Sequence, residues 1–123
     1  MSKISLGTVQ FGVDYGISSI NGEVTPKEVK NILSYAHLQD IDLLDTAPAY
    51  GNSEKILGEV SIQKFKVVTK TRHFDKPEIN IDDIALMKKD FFNSLKDLKQ
   101  DRVYGMLVHN ADDLLKPGSE KLF

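Results

Sequence analysis

Hydrophobic residues recur at helical spacing in three parts of the chain. In the first part they follow the i, i+3, i+4, i+7 pattern of one helical face. These residues are Val29, Ile32, Leu33 and Ala36. Just before them, Thr25 and Glu28 have the spacing of a capping box, and Pro26 suits the first helical position. The sequence therefore predicts a helix that begins at Pro26.

Two further helices are predicted from the same kind of pattern. A short one covers residues 54–60, where apolar side chains recur at helical spacing. A longer one has an apolar side, with charged residues on the rest of its surface. That apolar side consists of Ile84, Met87, Phe91, Leu95 and Leu98. Asn80 or Asp82 is expected to cap this helix.

Four apolar stretches between and around these helices are interpreted as strands. They cover residues 4–8, 41–45, 65–70 and 103–109. Because strands and helices alternate, the strands are expected to be parallel and joined by right-handed crossovers. A length of 123 residues suits one domain. The fold class is therefore α/β, with about four parallel strands alternating with three helices.

Composition narrows the functional classes. With 41% hydrophobic and 28% charged residues, the chain has the composition of a soluble globular protein. A net charge of −2, with Lys and Arg scattered among Asp and Glu, argues against nucleic acid as a partner. The sequence has no apolar run of membrane-spanning length, so we expect no membrane association and a cytoplasmic location. The absence of cysteine excludes disulfides and thiol nucleophiles.

Ionisable residues end three of the four predicted strands, namely Asp45, Lys70 and His109. The carboxyl ends of parallel strands gather on one face, whether the sheet is open or closed. Tyr50 lies just after the second strand, within the segment LDTAPAYGNSE at residues 44–54. Each of these residues taken alone is more often a solvated rim residue. Together they predict a shared site.

This set of side chains suits proton donation to an oxygen that gains negative charge. A free phenol keeps its proton at neutral pH, and a nearby ammonium group makes it a better acid. Lys70 would supply that ammonium, Asp45 would hold it in place, and His109 would orient a substrate oxygen. Neither an activated nucleophile nor a metal cage is evident in the sequence. Carbonyl reduction, with hydride from a nicotinamide, matches the set best.

Five segments of the chain resemble the aldo-keto reductase family, in the order that the family has them. They are LGTVQFG, YGI, LDTAPAYGNSE, FKVVTK and YGMLVHN, which begin at residues 6, 15, 44, 65 and 104. The resemblance implies a (β/α)8 TIM barrel, of which residues 1–123 would form the N-terminal half. It also implies an oxidoreductase that reduces small aldehydes or ketones to alcohols with NADP(H).

The resemblance further implies specific site residues. The family's catalytic tetrad corresponds to Asp45, Tyr50, Lys70 and His109, with Tyr50 as the proton donor. Gly7, Thr8 and Asp45 would lie beside the nicotinamide. The family usually has Gly-Ile after its first helix, whereas this chain has Asp40 and Ile41. Because Asp tolerates a left-handed backbone better than most residues, the fold is not expected to change there.

A complete barrel takes about 250 residues, so half of it is expected to be missing. In the family, most contacts to NADP(H) lie beyond the last strand seen here. We therefore expect an incomplete fragment with little activity of its own, and its status as an enzyme stays open. Exposed sheet edges predict self-association or pairing with a complementing second half. Without the second half, the side chains that face the interior of the barrel would lack the strands opposite them. These residues are expected to be Leu6, Leu43, Val67 and Leu107 or their neighbours.

Other interpretations remain. A non-enzymatic half-barrel, either a remnant or a binding subunit, is the main alternative. A metal-dependent hydrolase with Asp45 and His109 as ligands is disfavoured, because no His-x-His pair lies on the first strand. His37 is expected to be exposed, and His73 could at most contact a substrate. Tyr15 and Phe11 either line a substrate pocket or serve in packing.

Overall fold

A computed structural model describes residues 3–13 and 24–123 of the chain. Four strands form one parallel sheet, in which each strand lies beside its neighbour in sequence. They are β1 (Leu6–Gly7), β2 (Leu43–Asp45), β3 (Lys66–Lys70) and β4 (Gly105–Leu107). The predicted parallel order is confirmed. The YGI segment and Tyr15 lie outside the described residues.

The three predicted helices are present, together with shorter helical elements that the sequence pattern did not indicate. The helices are α1 (Val9–Gly12), α2 (Pro26–Leu38), α3 (Ser53–Val60) and α4 (Ile81–Leu98). Two 3-10 turns follow β4, at Ala111–Leu115 and Ser119–Leu122. The strands are shorter than predicted, and His109 lies just beyond β4 rather than within it. In the described part of the chain, no helix is both long and apolar enough to cross a bilayer.

The helix boundaries follow from capping side chains. The Thr25 hydroxyl accepts a hydrogen bond from the Glu28 N–H at 3.3 Å, and α2 begins at Pro26 as predicted. At α4 the cap is Asn80, whose side chain accepts from the Asp83 N–H, while the Asp83 carboxylate accepts from the Asn80 N–H. That hydrogen bond holds the pKa of Asp83 below its ordinary value. Asp82 is therefore inside the helix and does not cap it.

Helix α2 is followed by Asp40, which has a φ of +59°. Asp40 therefore adopts the left-handed backbone that Asp was expected to tolerate at this position. A positive φ also follows α3, at Ser61, and α4, at Lys99, and Lys99 has the left-handed helical conformation. Each of these residues turns the chain back towards the sheet at a modest conformational cost, on the order of 1–2 kcal/mol.

The main core lies between one face of the sheet and the helices. Leu44 and Val67 are register partners at its centre, and both are buried. Residues from the helices and loops pack against them: Phe11, Val29, Leu33, Leu57, Ile62 and Leu98. Phe11 is thus a core residue, and exposed His37 does not take part in this core. The helical stripe predicted for α2 provides its buried face.

Two of the residues named as facing the barrel interior, Leu6 and Val67, do not lie on that face of the sheet, whereas their neighbours Gly7 and Val68 do. Val67 is buried, and Leu6 packs against the main core, so both face the helices. Successive side chains of a strand point to opposite faces, so Leu43 and Val68 lie on the other side. Leu107, the register partner of Lys70, is 51% exposed on that side. A shift of one residue in the assumed strand phase explains the error.

Helices α3 and α4 approach each other closely at Gly58. A Cβ atom added there would overlap the backbone carbonyl oxygen of Asp97, near the carboxyl end of α4. Leu98, the last residue of α4, is fully buried in the main core beside this contact. The missing side chain at Gly58 therefore allows α4 to lie against α3 at the distance the core requires.

Replacing Gly58 with Ala should destabilise the fold by roughly 1–3 kcal/mol, because the added methyl group forces the two helices apart. This loss should exceed the helix-propensity gain of about 1 kcal/mol that Ala brings. Urea unfolding followed by circular dichroism measures the change. Gly7→Ala is the control, since a Cβ at Gly7 would meet nothing within 4 Å. Equal unfolding midpoints for the two variants would contradict this account of the helix contact.

Candidate active site

Asp45 and Lys70 are the last residues of neighbouring strands β2 and β3, and their side chains form an ion pair. The Lys70 ammonium also donates a hydrogen bond to the backbone carbonyl of Thr46 at 3.0 Å. The Lys70 side chain is only 13% exposed. With two fixed acceptors and little solvent around it, the ammonium has a defined position at the carboxyl end of the sheet.

Tyr50 lies on the loop between β2 and α3, and the centroid of its ring is 4.9 Å from the Lys70 Nζ atom. Backbone hydrogen bonds from Tyr50 to Ala47 and from Ser53 to Tyr50, both 3.0 Å long, shape this loop. A cation at this distance from an aromatic ring is attracted by the electrons of the ring. Lys70 therefore contacts both the carboxylate and the phenol of the predicted tetrad.

Two glycines allow the Tyr50 loop to lie against α1. A Cβ atom at Gly12 would overlap the Tyr50 carbonyl oxygen and the Ser53 N–H group. Gly51 has a φ of +56°, and its own added Cβ would overlap the Gly12 carbonyl oxygen. A side chain at either position would displace the loop. The LGTVQFG segment therefore contributes to the position of Tyr50 through its final glycine.

His109 lies after β4 and brings its ring to the edge of the Tyr50 ring, with centroids 5.8 Å apart and planes at 82°. Its backbone N–H donates to the Thr71 hydroxyl at 3.1 Å. Burial lowers the pKa of the His109 imidazole, and the charges of His73 and Lys70 act in the same direction. This shift favours the neutral imidazole, which is the form that can donate one N–H while its other nitrogen accepts.

The structure therefore brings the four predicted tetrad residues into one chain of contacts. Asp45 contacts Lys70, Lys70 lies over Tyr50, and Tyr50 meets His109. His73 joins the group, because its ring centroid lies 4.2 Å from that of His109. For His73 we predicted at most a substrate contact, because nothing in its spacing indicated that the loop after β3 brings it against His109.

Buried hydroxyl groups lie beneath the tetrad and connect three elements. The Thr8 hydroxyl donates to the Asp45 backbone carbonyl at 3.0 Å. The Ser53 hydroxyl lies 2.9 Å from both the hydroxyl and the carbonyl oxygen of Thr8, and 3.4 Å from the Thr46 hydroxyl. All three side chains are fully buried. They tie β1 and β2 to the first turn of α3, directly below the Asp45 and Tyr50 backbone.

Glu54, in the first turn of α3, is buried and accepts a hydrogen bond from the Thr69 hydroxyl at 2.6 Å. Burial raises the pKa of the Glu54 carboxyl above its ordinary value, and the hydrogen bond from Thr69 opposes this only in part. Thr69 precedes Lys70 in β3, so Glu54 connects the helix after Tyr50 to the strand that carries Lys70.

The residues proposed to contact a nicotinamide occupy different environments. Gly7 is the register partner of Asp45, is exposed, and has open space where a side chain would be. Space is therefore open beside Asp45, where the resemblance implies a nicotinamide. Thr8 is fully buried, and its N–H, its carbonyl oxygen and its hydroxyl all form hydrogen bonds within the protein, so Thr8 has no free polar group to offer a cofactor. Among the described residues, no group of three or more potential metal ligands comes together.

A sequence profile described as the Aldo/keto reductase family matches residues 3–117 of the chain. The chain belongs to the aldo-keto reductase family. A protein of Pseudomonas aeruginosa assigned to the aldo-keto reductases has a crystal structure that matches with 30% identity and a TM-score of 0.72. That match covers 93% of this chain and 46% of the other. A search of curated proteins found no match.

More distant aldo-keto reductase structures support the fold alone. The holo form of an enzyme from Bacillus halodurans is 20% identical, with a TM-score of 0.61, and the match covers 86% of this chain and 35% of that one. Aldose reductase from Giardia lamblia is 17% identical, with a TM-score of 0.56 and coverages of 85% and 32%. The chain thus spans less than half the length of these relatives. Its four strands correspond to part of their (β/α)8 barrel.

Glu54→Gln should alter the pH dependence of stability. The folded state binds a proton at Glu54 more tightly than the unfolded state, so this group stabilises the fold most at low pH. This contribution to stability is lost as the pH rises from the pKa of Glu54 in the unfolded state, near 4.5, through its raised pKa in the folded state. Since Gln stays neutral, the stability of the variant relative to wild type should increase across that window. Urea unfolding at a series of pH values measures this difference.

The matched control is Glu59→Gln, which removes an exposed carboxyl from the same helix. Its stability relative to wild type should change little over the same pH range. If the free energy of unfolding of Glu54→Gln differed from that of wild type by the same amount at every pH, folding would not raise the pKa of the buried Glu54 carboxyl.

Proposed function

We propose that this chain carries the proton-donating part of an NADPH-dependent carbonyl reductase, which converts aldehydes or ketones to alcohols. Membership of the aldo-keto reductase family supports an oxidoreductase-type function. The observation that carries the proposal is the contact chain from Asp45 through Lys70 to Tyr50 and His109. A phenol, an ammonium and an imidazole lie together at the carboxyl end of the sheet. This set suits protonation of an oxygen better than nucleophilic attack on a carbonyl.

Tyr50 is the proposed proton donor. As the carbonyl oxygen gains negative charge, the phenol transfers its proton to that oxygen, and the Lys70 ammonium stabilises the phenolate that remains. Asp45 keeps the ammonium in place through the ion pair. His109, whose pKa is lowered by burial, orients the carbonyl oxygen with a hydrogen bond from its neutral imidazole.

Gly7, Thr8 and Asp45 are the residues of this chain proposed to lie beside the cofactor. When bound, NADPH would supply a hydride for the carbonyl carbon, and with the proton from Tyr50 this would convert the carbonyl to an alcohol. The open space at Gly7 and its position beside Asp45 support this part of the proposal. We also place the protein in the cytoplasm, since a chain without cysteine is compatible with a reducing compartment.

Turnover is proposed to require further strands along the free edges of the sheet. β1 and β4 are the edge strands, and exposed edges pair readily with other strands. The face of the sheet opposite the helices carries Leu43, Val68 and the half-exposed Leu107. These groups would be covered by a second copy of the chain or by a separate polypeptide with complementary strands.

Size-exclusion chromatography with light scattering tests this proposed association. We expect the purified chain to elute as a dimer or larger species, because its edge strands and apolar face favour contact with another chain. Replacing Leu107 with Lys should weaken that association by placing a charge on the open face. A well-folded monomer at micromolar concentration would contradict the requirement for further strands.

Tyr50→Phe should lower kcat for aldehyde reduction by about 10²–10⁴-fold, because the variant retains the ring but lacks the proton donor. The rate is measured on the assembled protein, as the loss of NADPH or NADH absorbance in the presence of an aldehyde. The control is Tyr35→Phe, which removes a hydroxyl from an exposed tyrosine of α2. Unchanged turnover in Tyr50→Phe would refute the assigned role, and no carbonyl reduction by the wild type would refute the function.

A further inference from the structure

A small polar cavity separates helix α4 from the loop that carries Tyr50 and from the first turn of α3. Its volume is about 140 Å³, which leaves room for an ion together with water, since a water molecule takes about 30 Å³ of liquid volume. Glu54 lines it on one side, and Asp90 and Asp97 of α4 line it on the other. We call it the Glu54 cavity. None of the described residues that line it is basic, so negative charge is concentrated there.

Ser94 contributes a buried hydroxyl to the wall of this cavity. The residue is only 2% exposed, and its Oγ atom has no partner at hydrogen-bond distance. A serine inside a helix can donate to the carbonyl one turn earlier, as Ser34 of α2 does to Lys30 at 2.8 Å. Ser94 forms no such bond. Because buried polar groups in native proteins nearly always have a partner, the Ser94 hydroxyl indicates that the cavity holds an occupant.

The Glu54 carboxylate reaches the same cavity with its charge only partly balanced. Thr69 donates to its Oε1 atom at 2.6 Å, so the Oε2 atom can take a further partner. Burial raises the pKa of Glu54, and the charge of Asp97 acts in the same direction, while the hydroxyls of Thr69 and Ser94 and the charge of Lys70 oppose them. Glu54 and Asp97 therefore repel each other, and a positive charge between them would relieve that repulsion.

The available ligands favour a singly charged ion. Asp90 already has a cation, because it is paired with Arg72 at 3.3 Å. In the part of the chain that the structure describes, Asp97 forms no ion pair. Two carboxylates, the Ser94 hydroxyl and the amide oxygen of Asn93 give a set of hard oxygen ligands with less charge than sites for divalent cations provide.

We propose that the Glu54 cavity binds a monovalent metal cation, K⁺ or Na⁺, through the Glu54 and Asp97 carboxylates and the Ser94 hydroxyl. Pro48 and Gly51 form the opposite wall, so the bound ion would join α4 to the loop of Tyr50. The unfolded chain does not bring these ligands together, and the ion therefore stabilises the folded state. This inference goes beyond the proposed function and holds whether or not the chain reduces a carbonyl.

Urea unfolding in KCl, NaCl and choline chloride tests the site, at equal ionic strength and a fixed protein concentration. Choline has the same charge, but its methyl groups keep oxygen ligands away from that charge. At a salt concentration of roughly ten times the dissociation constant, the bound ion should lower the unfolding equilibrium constant about tenfold relative to choline. The difference should saturate as the salt concentration rises, and comparison of KCl with NaCl identifies the preferred ion.

Two substitutions locate the effect in the cavity. Ser94→Ala removes the hydroxyl ligand and Asp97→Asn removes one charge, and each should abolish most of the difference between the metal salts and choline chloride. The matched control is Asp101→Asn, which removes an exposed carboxyl just beyond α4 and should retain the full difference. In NMR spectra, the amide signals of Gly51 and Ser94 should shift with the preferred salt and not with choline chloride.

Two results would overturn the proposal. Equal unfolding curves in the three salts would mean that the cavity holds water alone. A metal-salt effect that persists in full in both Ser94→Ala and Asp97→Asn would mean that the ion binds elsewhere on the protein.

Discussion

The ion pair between Lys70 and Asp45 joins the ends of two neighbouring strands, and the arrangement of the site depends on it. A lysine ammonium so little exposed needs fixed acceptors, because burial of an unpaired charge costs several kcal/mol. Asp45 and the Thr46 carbonyl provide them. With its position set in this way, the ammonium lies over the Tyr50 ring, and His109 completes the far side of that ring.

Much of the stability of this arrangement comes from groups below the site. The buried hydroxyls of Thr8, Thr46 and Ser53 connect β1, β2 and α3, while Glu54 connects α3 to β3 through Thr69. Since a buried polar group without a partner is costly, these contacts favour one arrangement of the three strands. The rigid part of the site is therefore made from side chains that never reach the substrate.

Sequence patterns predicted the parallel order of strands and the start of α2, because both follow from local periodicity and capping. They also placed Asp45, Lys70 and Tyr50 at the carboxyl end of the sheet, because the topology of parallel strands alone brings these positions together. They missed the contact of His73 with His109, the buried state of Glu54 and the close approach at Gly58. These features depend on how distant loops and helices meet, which one strand or helix does not encode. The error for Leu6 and Val67 arose from strand phase.

In the loop after β3, the Asp113 carboxylate accepts a hydrogen bond from the Phe74 N–H, and the Lys116 ammonium donates one to the Phe74 carbonyl oxygen. Nearly every residue possesses these two backbone groups. The side chains of Arg72 and His73 take no part in these contacts at Phe74. During evolution these two positions could change from one amino acid to another without moving the loop. The same scaffold could then present a different set of side chains to different molecules, while Asp113 and Lys116 stayed constant.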